Sequence, residues 1–442
     1  MKKYFGKLCV GGVLLLSLSM SLTSCEDILG HWEKPTPNPI TPDTGGDSTP
    51  AAAPTYLKWN DGTQALEAVE IPDAPSMTST TTTWSGTYIV SEDVTIDDDV
   101  TLGGDVDLII LDGKTLTLTD DHWITASTNN YTLNIYGQST TTGAGKLVVN
   151  TTTSKIRSIY VESGTINIHS GIVSATATKD HSSAVRSKNM NIYGGEVEAK
   201  GFSVGLNVTN LSILGGTVTA ENGDGADTWA IESSTIIIDG STTSVTAKGG
   251  NAIDKGLEQI PASQGIYATT SMTINDGEVI VTGGDGVTNM GRGAVAIVVP
   301  GGSLTVNGGS LTATGGKAVD NRNGGNAFEG SLIIKGGKAK FVGGDGSGTG
   351  AGGYGIRYTT SPGIDYYGGS VMALGGAKGD SGTTDGEANS DGTNGDINNS
   401  SGSVQTYRSK SIYTSPWADG GSISAGVQSI TGTMGIAIPA EW

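Results

Sequence analysis

Cysteine is almost missing from this chain: two in 442 residues, at positions 9 and 25. Neither falls in the part that reads as folded, which excludes a disulfide framework, a cysteine-ligated zinc site and a thiol nucleophile there. Charged residues make up only 16% of the chain, and the basic ones are scarce, 25 Lys and Arg against 44 Asp and Glu, for a formal net charge of −19. Nothing basic clusters or interleaves with aromatics, which excludes nucleic acid as a partner. The acidity is spread out and fits a soluble surface with room for cation sites. Val10–Met20 is apolar but too short to cross a bilayer as a helix.

The usual catalytic signatures are also missing. His31, His122, His169 and His181 are scattered, and there is no metalloprotease motif, nucleophile elbow or phosphate loop. A glycoside hydrolase needs two or three carboxylates converging on one bond. Asp97-Asp98-Asp99 is a run on a predicted corner and reads as a solvated face. A polysaccharide lyase needs a basic residue beside cation-held carboxylates, and none of Arg157, Arg186, Arg292, Arg322, Arg357 and Arg408 sits in a cluster of aspartates. The balance leans away from an enzyme.

What is abundant is glycine, 70 residues, and much of it belongs to a repeated phrase. It reads NMNIYGGEVEAKG at Asn189–Gly201 and LSILGGTVTA at Leu211–Ala220, then MTINDGEVIVTGG, SLTVNGGSLTATGG, SLIIKGGKAKFVGG and IDYYGGSVMALGG, the last ending near Gly376. Each copy carries an apolar pair two residues apart, a glycine corner, and a second such pair: Met190/Ile192 then Val197/Ala199, Leu211/Ile213 then Val218/Ala220. Period two is strand periodicity. The anchor glycines Gly194, Gly215, Gly308, Gly336 and Gly368, with Asp276 once in that slot, allow a sharp corner or a close backbone approach. Two short strands around a corner cannot bury their own apolar face, whereas stacked copies can.

An all-β, right-handed parallel β-helix with about three short strands per coil is therefore predicted. The third strands would be SSAVRSK, DTWAIESS, QGIYATT, GAVAIVVP and YGIRYTT, anchored inward by Ala184, Ala230, Ile266, Ala296 and Ile356. Leucine-rich repeats, propeller blades and collagen do not fit the spacing or composition.

The chain divides into a leader over residues 1–24, a Pro/Thr-rich tether over 25–55, and an N-terminal cap region over 56–86 with a short helix or irregular segment near Tyr56–Val69. The β-helix body follows over 87–378, then a Gly/Asn/Asp-rich loop over 379–402 and a C-terminal cap or last coils over 403–442. In the leader, Lys2, Lys3 and Lys7, the apolar stretch and Leu22-Thr23-Ser24-Cys25 resemble the lipobox of bacterial lipoproteins. That resemblance implies lipidation of Cys25 and a mature chain of 22 basic against 44 acidic residues, net −22. Glu26-Asp27 resembles the acidic export signal of Bacteroidetes surface lipoproteins, implying an outer-membrane, cell-surface location.

Two sets of residues are candidates for function. Acidic corners recur after the Val/Ala strand, and a glycine turn brings carbonyls beside Asp224, Asp227, Asp285 and Asp345. Two roles fit them: oxygen ligands for Ca²⁺, or aspartates that support a tight turn. The residue just before the anchor glycine is Tyr136, Tyr193, Leu214, Asn275, Asn307, Lys335 and Tyr367 in successive copies, and parity places it outward. Tyrosines there either stack on sugar rings or pack across strands to shield the sheet. Trp229, Tyr267, Tyr354 and Tyr358, in or beside the third strands, are positioned to line a groove.

The GGxVxAxGG phrase behind alternating apolar residues, over roughly Thr87–Gly376, is similar to a family of secreted carbohydrate-binding-domain-containing β-helix proteins with a pectate-lyase-like fold. The chain departs from that family in lacking its frequent Asp-Gly-Ile corners; Asp285-Gly286-Val287 comes nearest. The resemblance implies non-catalytic polysaccharide binding, with calcium as a cofactor in at least one lineage. The alternatives are an adhesive or structural surface solenoid, and a polysaccharide lyase.

Overall fold

The computed structural model describes residues 53–119, 121–126, 128–254, 259–288, 291–357 and 364–381, and the backbone alone at Gln259–Ile260, Ile364, Tyr366, Ile397–Asn399, Ser403–Arg408 and Ser411–Thr414. Cys25, Tyr358, the leader, most of the tether and most of the Gly/Asn/Asp-rich loop lie outside the described residues.

From Thr83 onward the chain alternates between two long ladders. A strand in the first, Ser183–Ile192, is followed by Glu196–Gly201 in the second, then Val204–Ile213 in the first and Thr217–Asn222 in the second. Each strand pairs in parallel with its counterpart one repeat away, so Ile192, Ile213, Ile238 and Ile274 stand in one register column. Val197, Val218, Val245 and Val279 form the matching column of the second ladder. Among the described residues the first ladder has fourteen strands and the second thirteen, the last of which, Ser411–Thr414, pairs antiparallel with Ser403–Arg408. The described residues are all-β without a helix, an arrangement consistent with a parallel β-helix.

The repeat explains this architecture. In Glu196–Gly201, Val197, Ala199 and Gly201 are buried while Glu196, Glu198 and Lys200 face outward. Stacking merges the inward residues into one column running from Trp84 to Ala373. Each fully buried Val, Leu or Ile contributes about 1.5–3 kcal/mol against the entropy of ordering its coil.

The five residues expected to anchor third strands, Ala184, Ala230, Ile266, Ala296 and Ile356, are all buried. In the middle of the stack, however, those segments are not separate strands. In Ser183–Ile192, Val185 and Ser187 point in, Lys188 and Asn189 both point out, and Met190 and Ile192 point in again. Two consecutive outward residues mark a corner bent into a continuous strand. The same break occurs at Thr209-Asn210, where Thr209 and Asn210 both face out.

The paired glycines divide the two roles between them, the anchor glycine taking the close approach and the next residue the corner. Gly215 has no positive φ; a Cβ there would lie 2.2 Å from the Tyr193 carbonyl oxygen of the preceding coil. The left-handed residue is the next one, Gly216, at φ 79°.

Tyr56–Val69 is a hairpin rather than a helix: β1 (Thr55–Asn60) pairs antiparallel with β2 (Ala65–Glu70). Tyr56 and Trp59 on β1 suit a strand, and Asn60 Oδ1 accepts the Gly62 N–H in the turn. The hairpin joins neither ladder. The first coil is covered instead by the following segment, where Met77 is buried, donates its N–H to the Ile89 carbonyl at 2.8 Å, and Ser76 bridges Ile89.

Among the described residues, one interior hydroxyl is unmatched. Ser187 Oγ is buried without a partner, in the column held by Val161 and Val208 on either side. Ser187→Ala is expected to raise stability by about 1 kcal/mol, because it removes a desolvated donor and leaves no new one. An unchanged or lowered denaturation midpoint would show that the hydroxyl is satisfied after all.

Candidate functional site

Register places one outward column along the first ladder: Tyr136, His169, Tyr193, Leu214, Asp239, Asn275 and Asn307. Parity is as expected, but exposure is not. Tyr136 is only 3% exposed and His169 only 6%. The β1–β2 hairpin lies on them. Tyr56 meets Tyr136 edge-on at 4.9 Å, His169 stacks between Tyr136 at 4.5 Å and Tyr193 at 4.9 Å, and Trp59 stacks on Tyr193 at 5.1 Å. Three residues of β1 span about 10 Å, close to the roughly 9.6 Å of two ladder steps, so β1 runs along the stack and across its strands.

Burial, then the Asp107 charge, pushes the Tyr136 phenol far up, and its hydroxyl donates to Asp107 Oδ1 at 3.2 Å. Burial, followed by Asp61, also raises Tyr193. Tyr136 and Tyr193 therefore serve as packing residues under the hairpin and offer no open ring to a ligand. Further along the column, Asn275 donates to Asp239 at 3.1 Å and Asn307 to Asn275 at 2.8 Å, an amide ladder between coils. Tyr367, 52% exposed, stands far from the hairpin-covered coils.

A second lateral face gathers more. The bent part of the first-ladder strands aligns Tyr160, Arg186, Asn207, Glu232 and Tyr267 in one register column. Four ladder steps make this strip about 19 Å long. Trp229, which pairs in register with Gln264, stacks on Tyr267 at 4.7 Å with ring planes 26° apart. Its indole N–H is fixed by Gln264 Oε1 at 2.9 Å. Asn207 Nδ2 donates to Glu232 Oε2 at 2.7 Å. Burial raises the Glu232 carboxyl above its usual range, with Arg186 opposing. Arg186 is itself held by Glu162 at 2.7 Å.

At the other end of the strip Trp123 stacks on Tyr160 at 5.9 Å, Lys155 Nζ lies 4.9 Å from the Trp123 ring, and the Arg157 guanidinium lies 4.3 Å from the Tyr160 ring. Sequence reasoning found Trp229 and Tyr267 but missed Trp123, Tyr160, Arg186 and Glu232. The signal was available one residue further on: the strip follows the inward column Val185, Leu206, Ile231 and Ile266, of which only Ile266 was among the expected anchors. Tyr354 stands apart from this strip, its N–H donating to Asn326 Oδ1 at 2.8 Å in the neighbouring coil.

Three of the four aspartate corners form a ladder. Asn251 N–H donates to Asp224 Oδ1 at 2.6 Å, Asp285 N–H to Asn251 Oδ1 at 2.9 Å, Lys317 N–H to Asp285 Oδ1 at 2.7 Å, and Ala377 N–H to Asp345 Oδ1 at 3.0 Å. Each carboxylate commits an oxygen to the backbone of the next coil, and Lys317 follows Asp285 in the series. Asp227 is left-handed at φ 52°, with its carboxyl raised by burial. Among the described residues no group of three or more His, Cys, Asp or Glu is set to hold a metal ion. The geometry favours the turn-supporting role.

The glycines beside these aspartates form a seam. Backbone N–H groups of Gly284, Ala294, Gly316, Gly325, Gly344, Gly353 and Gly376 donate in series to the carbonyls of Ser263, Gly284, Ala294, Gly316, Gly325, Gly344 and Gly353, at 2.8–2.9 Å. Outgoing and returning arms of successive coils are zipped together so closely that a Cβ at Gly284, Gly316, Gly325, Gly344, Gly353 or Gly376 would lie 1.8–1.9 Å from a carbonyl oxygen. The aspartate loops project beyond this pinch.

The Asp97–Asp99 run is likewise structural. His122 lies 3.1 Å from Asp99 and 3.5 Å from Asp97, and Lys155 pairs with Asp99 at 2.5 Å. No protein-family model, curated protein or solved structure matches this chain.

Proposed function

We propose that this chain is a non-catalytic polysaccharide-binding protein, built as a right-handed parallel β-helix with three faces per coil and carried at the cell surface on a lipidated Cys25. The observation that carries the binding reading is the strip from Arg186 to Tyr267, since Tyr160 beyond it is buried under Trp123 and Arg157. It combines the stacked Trp229–Tyr267 pair with Arg186, Asn207 and Glu232 in one line on one lateral face. An aromatic surface beside amide and carboxylate groups matches the two sides of a sugar ring, its C–H face and its hydroxyl edge. The strip's length suits a chain rather than a single sugar. The lipobox-like leader and the resemblance to carbohydrate-binding β-helix proteins support the same reading.

The test is retention of the chain on a panel of neutral and acidic plant and host polysaccharides, with products checked for new reducing ends and unsaturated sugars. Retention without products is expected, and Trp229→Ala or Tyr267→Ala should weaken it about tenfold or more while Tyr193→Ala leaves it in place. Retention should persist in chelator, because Asp224, Asp285 and Asp345 already serve the backbone. Loss in chelator would restore calcium to those corners. Equal retention of the Trp229 variant would remove the strip, and absence of retention on every glycan would favour the adhesive solenoid.

A further inference from the structure

The β1–β2 hairpin is docked, not woven in. It pairs with neither ladder. An isolated two-stranded hairpin is marginal in water. Its hold on the stack rests on the ring contacts described above and on three hydrogen bonds: Gln138 Nε2 to the Thr55 carbonyl at 3.1 Å, Ser170 Oγ to the Leu57 carbonyl at 3.0 Å, and the Trp59 N–H to His169 Nδ1 at 2.9 Å.

The last of these is conditional. An imidazole nitrogen accepts a hydrogen bond only while it carries no proton. His169 can therefore latch Trp59 only as the neutral ring with its proton on Nε2. A second proton would turn Nδ1 into a donor facing another donor, inside a buried stack.

We propose that the hairpin is an acid-released cover over the Tyr136–His169–Tyr193 strip, with His169 as its latch. Release would uncover a continuous ladder of three rings, one per coil. The groups facing His169 are Lys58 and Asp61 from the hairpin and Tyr136 and Tyr193 from the neighbouring coils, with Asp107 behind Tyr136. Lys58 adds to the cost of charging the ring and Asp61 opposes it in part. Both tyrosines are held neutral by burial.

Burial first, then Lys58, brings His169 from 6.5 down to about 4. The sign follows from the lowered value. Above pH 6.5 the ring is neutral whether covered or free, and the latch is at full strength. As pH falls from 6.5 to about 4 the freed ring takes a proton before the covered one, so docking weakens, by at most on the order of 100-fold in its equilibrium constant because Tyr136 and Tyr193 flank the ring in both states. Below about pH 4 both states are protonated and the loss is complete.

The test is hydrogen–deuterium exchange on the full chain between pH 7 and pH 3.5, corrected for the intrinsic pH dependence of exchange. Peptides covering residues 55–70 should lose protection across this range, by at most on the order of 100-fold, while those covering 183–222 keep theirs. H169Q, whose amide oxygen can accept from Trp59 but does not titrate, should hold the hairpin with a flat pH profile. H169F, which keeps a ring without an acceptor or a proton, should also be flat, at lower protection. Constant protection of the hairpin in the wild type would overturn the proposal. So would loss only together with the ladder strands, or a variant profile that slopes as the wild type does.

Discussion

Gly316→Ala is expected to lower stability by at least ~3 kcal/mol, although it adds a single methyl group. Gly316 lies in the glycine seam, where the added Cβ would sit 1.8 Å from the Gly284 carbonyl oxygen and 2.6 Å from its carbon. That carbonyl cannot simply turn aside, because it accepts the Ala294 N–H at 2.9 Å. Gly316 itself donates to Ala294 and accepts from Gly325. Making room therefore opens consecutive links of one zipper, and each opened link strands a backbone group.

Gly113→Ala separates this collision from backbone strain. Gly113 is left-handed at φ 71°, and an added Cβ would meet nothing within 4 Å. It should cost only ~1–2 kcal/mol, the penalty for an L-residue in that conformation. Equal denaturation midpoints for the two variants would mean that the seam has slack the geometry does not show. Exchange should localise the damage of Gly316→Ala to residues 283–353, since each coil contacts mainly its neighbours.

How far the sequence foretells this protein depends on the range of the interaction. Parity along Glu196–Gly201 is a local property, so the inward column was legible from the alternation of Val197 and Ala199 with charged residues. The bent strand was harder to read. Lys188 and Asn189 interrupt the alternation while the register with the next coil resumes unshifted at Asn189 and Asn210, and a corner of that kind looks like a gap between two strands. The outward direction of Tyr136 and Tyr193 was legible, but their cover comes from Tyr56 and Trp59, more than a hundred residues earlier in the case of Trp59 and His169. No local pattern announces that contact. The aspartate corners left two roles open in the sequence for a related reason. Gly-Gly-Asp-Gly satisfies the chemistry of a cation loop, yet its glycines pack against neighbouring backbone and Asp285 Oδ1 accepts the Lys317 N–H, 32 residues away.

The other large effect belongs to Trp84→Ala, which should cost about 3–5 kcal/mol. Trp84 is fully buried in the first coil, the largest side chain in the core column, and its indole N–H donates to the Thr81 carbonyl at 2.9 Å. It pairs in register with Leu102, and Met77 in the covering segment belongs to the same cluster. Truncation would leave a cavity just beneath that segment and free the Thr81 carbonyl. An end coil has one neighbour where an inner coil has two, so the expected response is fraying rather than collapse: exchange protection lost over residues 83–118, with residues 297–342 unaffected. Trp84→Phe should fall between, refilling much of the cavity without restoring the hydrogen bond. Uniform loss of protection along the stack would instead make the whole ladder one cooperative unit, nucleated or held from its N-terminal end. Even then the β1–β2 hairpin, which pairs with neither ladder, could leave a closed stack at acid pH, so the two measurements test separate claims.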